Sequence, residues 1–190
     1  MGAKCSTYRA EARESRAEGR SEDARHFKAE ATPGAMSQFQ KRLRKEVELY
    51  AESTDEFVQL KPVRPEDLAS WTAVVRGPPE SPYADFLFTV AIELPSEYPL
   101  VPPTMTFKTK IFHPNVHFTT GEICIDILKK TWSPAWSLQS ACRAVLAILS
   151  EPVHDSPLNC DAGNMLRAGD HLAFRSMAKM YCLEYASSLH

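Results

Sequence analysis

His113-Pro114-Asn115 is followed, nine residues after the asparagine, by Cys124. The stretch runs HPNVHFTTGEICIDIL and continues shortly afterwards into TWSPAW. A thiolate is a strong nucleophile, and a carboxamide is a donor suited to a developing oxyanion. The pair therefore suits acyl transfer, with the thiol attacking a carbonyl and the amide steadying the intermediate. The residues around the thiol are apolar and strand-like, which would hold it on a stiff scaffold.

Each of these residues also has an ordinary structural reading. A cysteine in an apolar context is more often a small core residue than a nucleophile. An asparagine after proline more often forms a turn. Against this, the loop from Val116 to Gly121 is long enough to fold Asn115 back towards the thiol, and Pro114 stiffens the approach. His113, His117, Cys124 and His154 lack the paired short spacing of zinc ligands, so no metal site is expected. A cysteine–histidine hydrolase, with His113, His117 or His154 as base, would need a third, orienting group that the local sequence does not identify. His113 reads instead as a structural histidine, hydrogen-bonded within its own loop.

The elements that must position these residues can be read outward from them. At 190 residues, 44% hydrophobic and 24% charged, the chain suits one folded domain with an appendage. A net charge of −2 gives no sign of nucleic acid as a partner. No apolar run reaches the ~20 residues that span a bilayer, and no secretory signal opens the chain. The final Ser188-Leu189-His190 is not the Ser-Lys-Leu address of peroxisomal import. Five scattered cysteines (Cys5, Cys124, Cys142, Cys160, Cys182) suit reduced thiols, one reactive and the others structural.

Residues 1–35 are rich in Ala, Arg, Glu and Ser and poor in apolar side chains, so they read as a polar extension. Glu11, Glu14, Glu18, Glu22 and Asp23 argue against a mitochondrial leader, which is poor in acids. The folded domain is expected over 36–190. Phe39, Leu43, Val47 and Tyr50 give a first helix its apolar stripe, with Lys41, Arg42, Arg44 and Lys45 on the other face. Strands are predicted at 57–62, 71–76, 86–93 and 104–107, separated by Arg64-Pro65-Glu66-Asp67, Gly77-Pro78-Pro79 and the Pro-rich 98–103. Ser137 is the predicted cap of an apolar helix that stops by Pro152. Helices near 159–167 and 170–187 follow, the last with Phe174, Met177, Tyr181 and Tyr185 inward. The fold class is α+β: a helix, a four-stranded antiparallel meander, then three helices. Trp132 and Trp136 flank Ser133-Pro134-Ala135, an apolar knob that Leu100 of the other Pro-rich loop would adjoin.

RGPPESPY (76–83), YPLVPP (98–103), HPN (113–115), GEICIDIL (121–128) and WSPAW (132–136) occur in this order, and from about 37 to 187 the chain resembles the ubiquitin-conjugating enzyme family. NVHFTTGEICIDIL, WSPAWSLQSACRA and DSPLNCDAGNMLR are most similar to its peroxisomal members. The resemblance implies that Cys124 receives the ubiquitin C-terminus as a thioester from the activating enzyme and passes it to an acceptor. It implies that Asn115 orders the active-site loop and helps stabilise the oxyanion, with His113, Asp155 and Ser156 in support. Lys41, Arg42, Leu100, Pro134 and Ala135 match the surface where activating enzyme and RING-type ligases dock. No cofactor is implied, since the activating enzyme consumes the ATP. A membrane-anchored peroxin would hold the chain on the cytosolic face of the peroxisome, with an import receptor as substrate.

Three departures from the family pattern are evident. Its usual two glycines after the Pro-Tyr motif are Asp85 and Phe86 here, so the turn must differ locally. The interval from Asn115 to Cys124 is one residue longer than in common members. The position that often holds aspartate is Ser156, with Asp155 before it. A lysine acceptor needs more help losing its proton than a cysteine, so a serine there is compatible with a cysteine acceptor. A non-catalytic binding module of the same fold is the competing class, and the intact Cys124 segment argues against it.

Overall fold

The computed structural model describes residues 37–124, 132–153 and 155–189. The extension expected over 1–35, Cys5, the residues 125–131 that follow Cys124, and His154 lie outside them. The chain divides after Ser53 into two compact units. In the first, helix α1 (Gln38–Glu52) begins where Ser37 and Gln40 cap each other: Ser37 Oγ accepts from Gln40 N at 3.1 Å, and Gln40 Oε1 from Ser37 N at 3.0 Å. Leu43 and Val47 are buried as expected, with Phe39 and Tyr50 half-buried. The basic face is narrower than predicted. Lys41 and Lys45 are exposed, but Arg42 donates through Nε to the buried Glu46 at 2.8 Å. A buried carboxylate needs a partner, and the arginine one turn earlier supplies it.

In the second unit, strands β1 (Val58–Arg64), β2 (Asp67–Arg76), β3 (Phe86–Glu93) and β4 (Thr104–Phe107) form an antiparallel meander in sequence order. The second strand starts at Asp67, not 71. Pro65-Glu66 make so short a turn that Arg64 pairs directly with Asp67, guanidinium to carboxylate at 3.0 Å. Pro62 lies within β1, which ends the strand order, and the register slips between Pro62 and Arg64. Alternate residues turn inward: Val58 and Leu60, then Trp71, Ala73 and Val75, then Phe88, Val90 and Ile92. Against β1 and β2 packs α2 (Leu138–Ser150), where Ser137 Oγ accepts from Ser140 N at 3.2 Å, the predicted cap. Its Ala141, Cys142, Val145 and Leu149 are buried.

Helices α3 (Cys160–Arg167) and α4 (His171–Tyr185) pack together and finish the helical set among the described residues. The inward stripe of α4 is Phe174, Ala178 and Cys182, with Met177 and Tyr181 half-buried and Tyr185 exposed. Small residues face in because the helix closes on the Pro82–Tyr83 turn, where Cys182 Sγ lies 3.9 Å from the Pro82 carbonyl. Tyr181 instead stacks at the rim with Phe112, Phe118 and Tyr185. Leu172 (78%) and Leu183 (70%) are exposed on the outer face, with the exposed Arg175, Ser176 and Lys179 between them. The helix also ends earlier than predicted, because Ser187–Ser188 leave it as β5 and pair with Phe86 and Leu87, beside the part of β3 that β4 does not cover. The double-glycine departure resolves simply. Asp85 takes the left-handed conformation (φ 70°), while Phe86 opens β3 as a buried strand residue.

Candidate active site

Residues 111–116 are all buried, so the His-Pro-Asn stretch is an interior loop. Tyr83, fully buried, fastens it from one side by donating its hydroxyl to the Phe112 carbonyl at 2.7 Å. His113 fixes it from within. Its Nδ1 accepts from Asn115 N at 3.1 Å, so the proton sits on Nε2, which donates to Ile148 O of α2 at 3.1 Å. Burial, only partly opposed by the Ile148 carbonyl, pushes its pKa down to about 3. His113 is thus a neutral strut with both nitrogens engaged, which removes it as a general base. The Pro114 carbonyl accepts from Leu158 N (2.8 Å) and Asn159 N (3.1 Å), tying the loop to the start of α3.

Asn115 is the junction of the site. Its main-chain carbonyl accepts from Cys124 N at 2.9 Å. Its side chain faces another segment: Oδ1 accepts from Val153 N at 2.9 Å, and Nδ2 donates to the Val153 carbonyl. Asp155 and Ser156, both exposed, follow two and three residues beyond Val153. Asn115 therefore holds Cys124 through its main chain and Val153 through its side chain, while among the described residues no hydrogen bond joins Asp155 or Ser156 to either.

Between Asn115 and Cys124 the chain makes a short hairpin. Val116 bridges to Ile123, His117 N donates to Glu122 O at 2.8 Å, and Gly121 N returns to His117 O at 2.9 Å. Gly121 has φ 75°, and a Cβ there would meet the Phe107 carbonyl at 2.1 Å. Phe107 N donates to Gly121 O at 2.8 Å and Ile123 N to Met105 O at 3.3 Å, stitching the hairpin to β4. This turn spans the interval from Asn115 to Cys124 and is closed at its base by their main-chain bond. The imidazole of His117, the second possible base, accepts at Nδ1 from Thr119 N (3.3 Å) and Thr120 N (3.1 Å). Cys124 is half-buried, Cys142 and Cys182 are buried, and all are free thiols. Cys160 is exposed at the start of α3, which departs from the expectation that every cysteine except the reactive one is structural.

The two apolar loops do meet. Trp132 Nε1 donates to the Pro99 carbonyl at 2.9 Å, and its ring packs near Tyr98 and Trp136, with centroids 5.9 and 6.0 Å away. This sets Leu100 (76% exposed) beside the turn carrying the exposed Pro134 and Ala135. Lys41, exposed, and Arg42, paired with Glu46, belong to α1. Sequence reasoning missed Val153, Tyr83 and the backbone N–H groups of Leu158 and Asn159. Nothing local marks them, because each acts on the loop from far along the chain.

Residues 42–182 match the family model described as ubiquitin-conjugating enzyme, and the chain belongs to that family. It is a ubiquitin-transferring enzyme of the Pex4 type, as its relatives' names agree. It is 59% identical over 115 residues to Protein PEROXIN-4 of Arabidopsis thaliana, covering 60% of this chain and 73% of that one. It is 50% identical over 144 residues to the ubiquitin-conjugating enzyme E2 pex4 of Dictyostelium discoideum, covering 76% and 97%. Among solved structures it is similar to H. polymorpha ubiquitin-conjugating enzyme Pex4p, crystallised in complex with the soluble domain of Pex22p. That likeness has a TM-score of 0.73 and 35% identity, over 80% of this chain and 100% of the other. None of the described helices is long and apolar enough to cross a membrane.

Proposed function

We propose that Cys124 carries ubiquitin as a thioester and delivers it, with a RING-type ligase, to a peroxisomal import receptor. The thiolate attacks the ubiquitin C-terminal carbonyl, held as a thioester on the activating enzyme. A new S–C bond forms as the old one breaks, and the thiol released on the activating enzyme takes the proton that Cys124 gave up. The observation that carries this reading is the 2.9 Å bond from Cys124 N to Asn115 O, which pins a half-buried thiol beside the His-Pro-Asn loop. Asn115 serves first as a brace between that loop and Val153, and the second N–H of its Nδ2 is the donor it offers an oxyanion. Residues 36–190 form the catalytic domain, and 1–35 are dispensable for loading.

The exposed Ser156, with Asp155 before it, favours a cysteine acceptor, which needs less help from a carboxylate than lysine does. Leu100, Pro134 and Ala135, with Lys41 and Arg42 of α1, take the activating enzyme and the ligase. A membrane-anchored peroxin holds the chain at the cytosolic face of the peroxisome; the H. polymorpha relative's complex with a soluble domain of Pex22p supports this.

The test is a loading assay with activating enzyme, ubiquitin and ATP. A thiol-sensitive adduct that Cys124→Ala abolishes is expected; no adduct from folded protein would overturn the reading. Discharge of the loaded enzyme onto free cysteine and free lysine then tests the acceptor. Fast lysine discharge that depends on Asp155 would rule out the cysteine preference.

A further inference from the structure

His117 stands in the turn between the two members of the site, and its own chemistry is not used by the reaction. Four hydrogen bonds pass through this one residue. Its N–H reaches Glu122 O at 2.8 Å and its carbonyl takes Gly121 N at 2.9 Å, so its main chain closes the hairpin. Its ring nitrogen Nδ1 takes the N–H groups of Thr119 at 3.3 Å and Thr120 at 3.1 Å, which lie at the exposed tip. Glu122 N leans on the same tip through Thr120 Oγ1 at 3.3 Å. One step inward, Val116 bridges to Ile123, and one step further Asn115 O holds Cys124 N at 2.9 Å. The order of contacts is continuous from the imidazole to the thiol-bearing residue.

We infer that His117 is a positioning residue for Cys124: its unprotonated Nδ1 closes the 117–122 turn and so sets the register in which Cys124 meets Asn115. This rests on the reading of Cys124 as the ubiquitin-accepting thiol. The atom matters more than the residue type. Nδ1 is bonded directly to Cγ, as the Oδ1 of asparagine is, so asparagine offers an acceptor at the same reach, as side chains do when they close turns on the backbone two and three residues ahead. Glutamine places its oxygen one carbon further out and does not. A ring whose Nδ1 carried a proton would present a donor to two donors, and the turn would lose both bonds.

The test compares His117→Ala, His117→Asn and His117→Gln with the wild type, by single-turnover loading of ubiquitin and by hydrogen exchange at the Thr119, Thr120 and Cys124 amides. Losing two neutral hydrogen bonds that order a reacting group predicts roughly a tenfold slower loading for the alanine and glutamine variants. Their Cys124 amide should exchange faster, with global melting little changed because the turn is exposed. His117→Asn should restore both rate and protection. Equal loading and equal Cys124 protection in His117→Ala would overturn the inference, and so would failure of asparagine to rescue a real loss. If the wild type itself forms no ubiquitin adduct, the thioester reading fails. The exchange data still decide whether His117 governs the Cys124 register.

Discussion

The side chain of Asn115 and the main chain of Val153, 38 residues apart, form a closed pair: Oδ1 takes the Val153 N–H and Nδ2 gives to its carbonyl. Asn115→Ala leaves both backbone groups without their partner, although the exposed side of Val153 lets water in. A loss of about 1–2 kcal/mol in stability is expected from chemical denaturation. Loading and discharge should both slow, because the His-Pro-Asn loop loses its tie to Val153. A variant as stable as the wild type would show that the pair is incidental.

His113 predicts a pH dependence with a definite sign. Its folded pKa, about 3, lies below the ordinary 6.5 because burial disfavours the imidazolium. The unfolded chain therefore binds the proton first as pH falls. The contribution is whole above 6.5, shrinks below it, and is gone near 3. Between pH 6 and 4 the wild type should lose about 1.4 kcal/mol per pH unit more than His113→Gln. Urea titrations of both proteins at several pH values give the comparison, and parallel pH profiles would refute it.

Gly121→Ala should be among the most damaging small substitutions in the chain. It combines φ 75° with a Cβ 2.1 Å from the Phe107 carbonyl, a backbone atom that cannot swing aside. A cost of roughly 2–4 kcal/mol is expected, with slow loading as the hairpin leaves β4. A melting temperature within a degree or two of wild type would contradict the geometry.

Leu100 offers the opposite case. It is 76% exposed, so Leu100→Ala should leave stability within about 0.5 kcal/mol. Transfer assays should nonetheless show a raised KM for the activating enzyme or a weakened ligase response, with kcat nearly unchanged. Trp132→Phe, which removes the donor to Pro99 O, should cost about 1 kcal/mol and weaken docking by loosening both loops. Unchanged affinity in both variants would move the docking surface elsewhere.

Legibility in the sequence followed range. Ser37 and Ser137 announce their helices because a cap acts within three residues, and β3 announces itself as an apolar, β-prone run set off by turn residues. Cys124 and Asn115 stood out as a pair, and the fold does join them. What stayed hidden depended on distant partners: Val153 for Asn115, Ile148 for His113, Tyr83 for Phe112. The stripe of α4 differs from its sequence pattern for the same reason, since only the Pro82–Tyr83 turn makes Ala178 and Cys182 the inward choice. Arg42 belongs by sequence to the basic face of α1, and only the burial of Glu46 one turn on shows it as half of an ion pair.

The way the sheet ends has a consequence for how densely this protein tolerates being gathered. β4 and β5 divide one side of β3 between them, the Cys124 hairpin pairs with β4, and β1 carries a proline and a slipped register. Unpaired, regular strand edges are where chains polymerise, and these devices blunt them. Copies of such a chain held close together can then be crowded without knitting strand to strand.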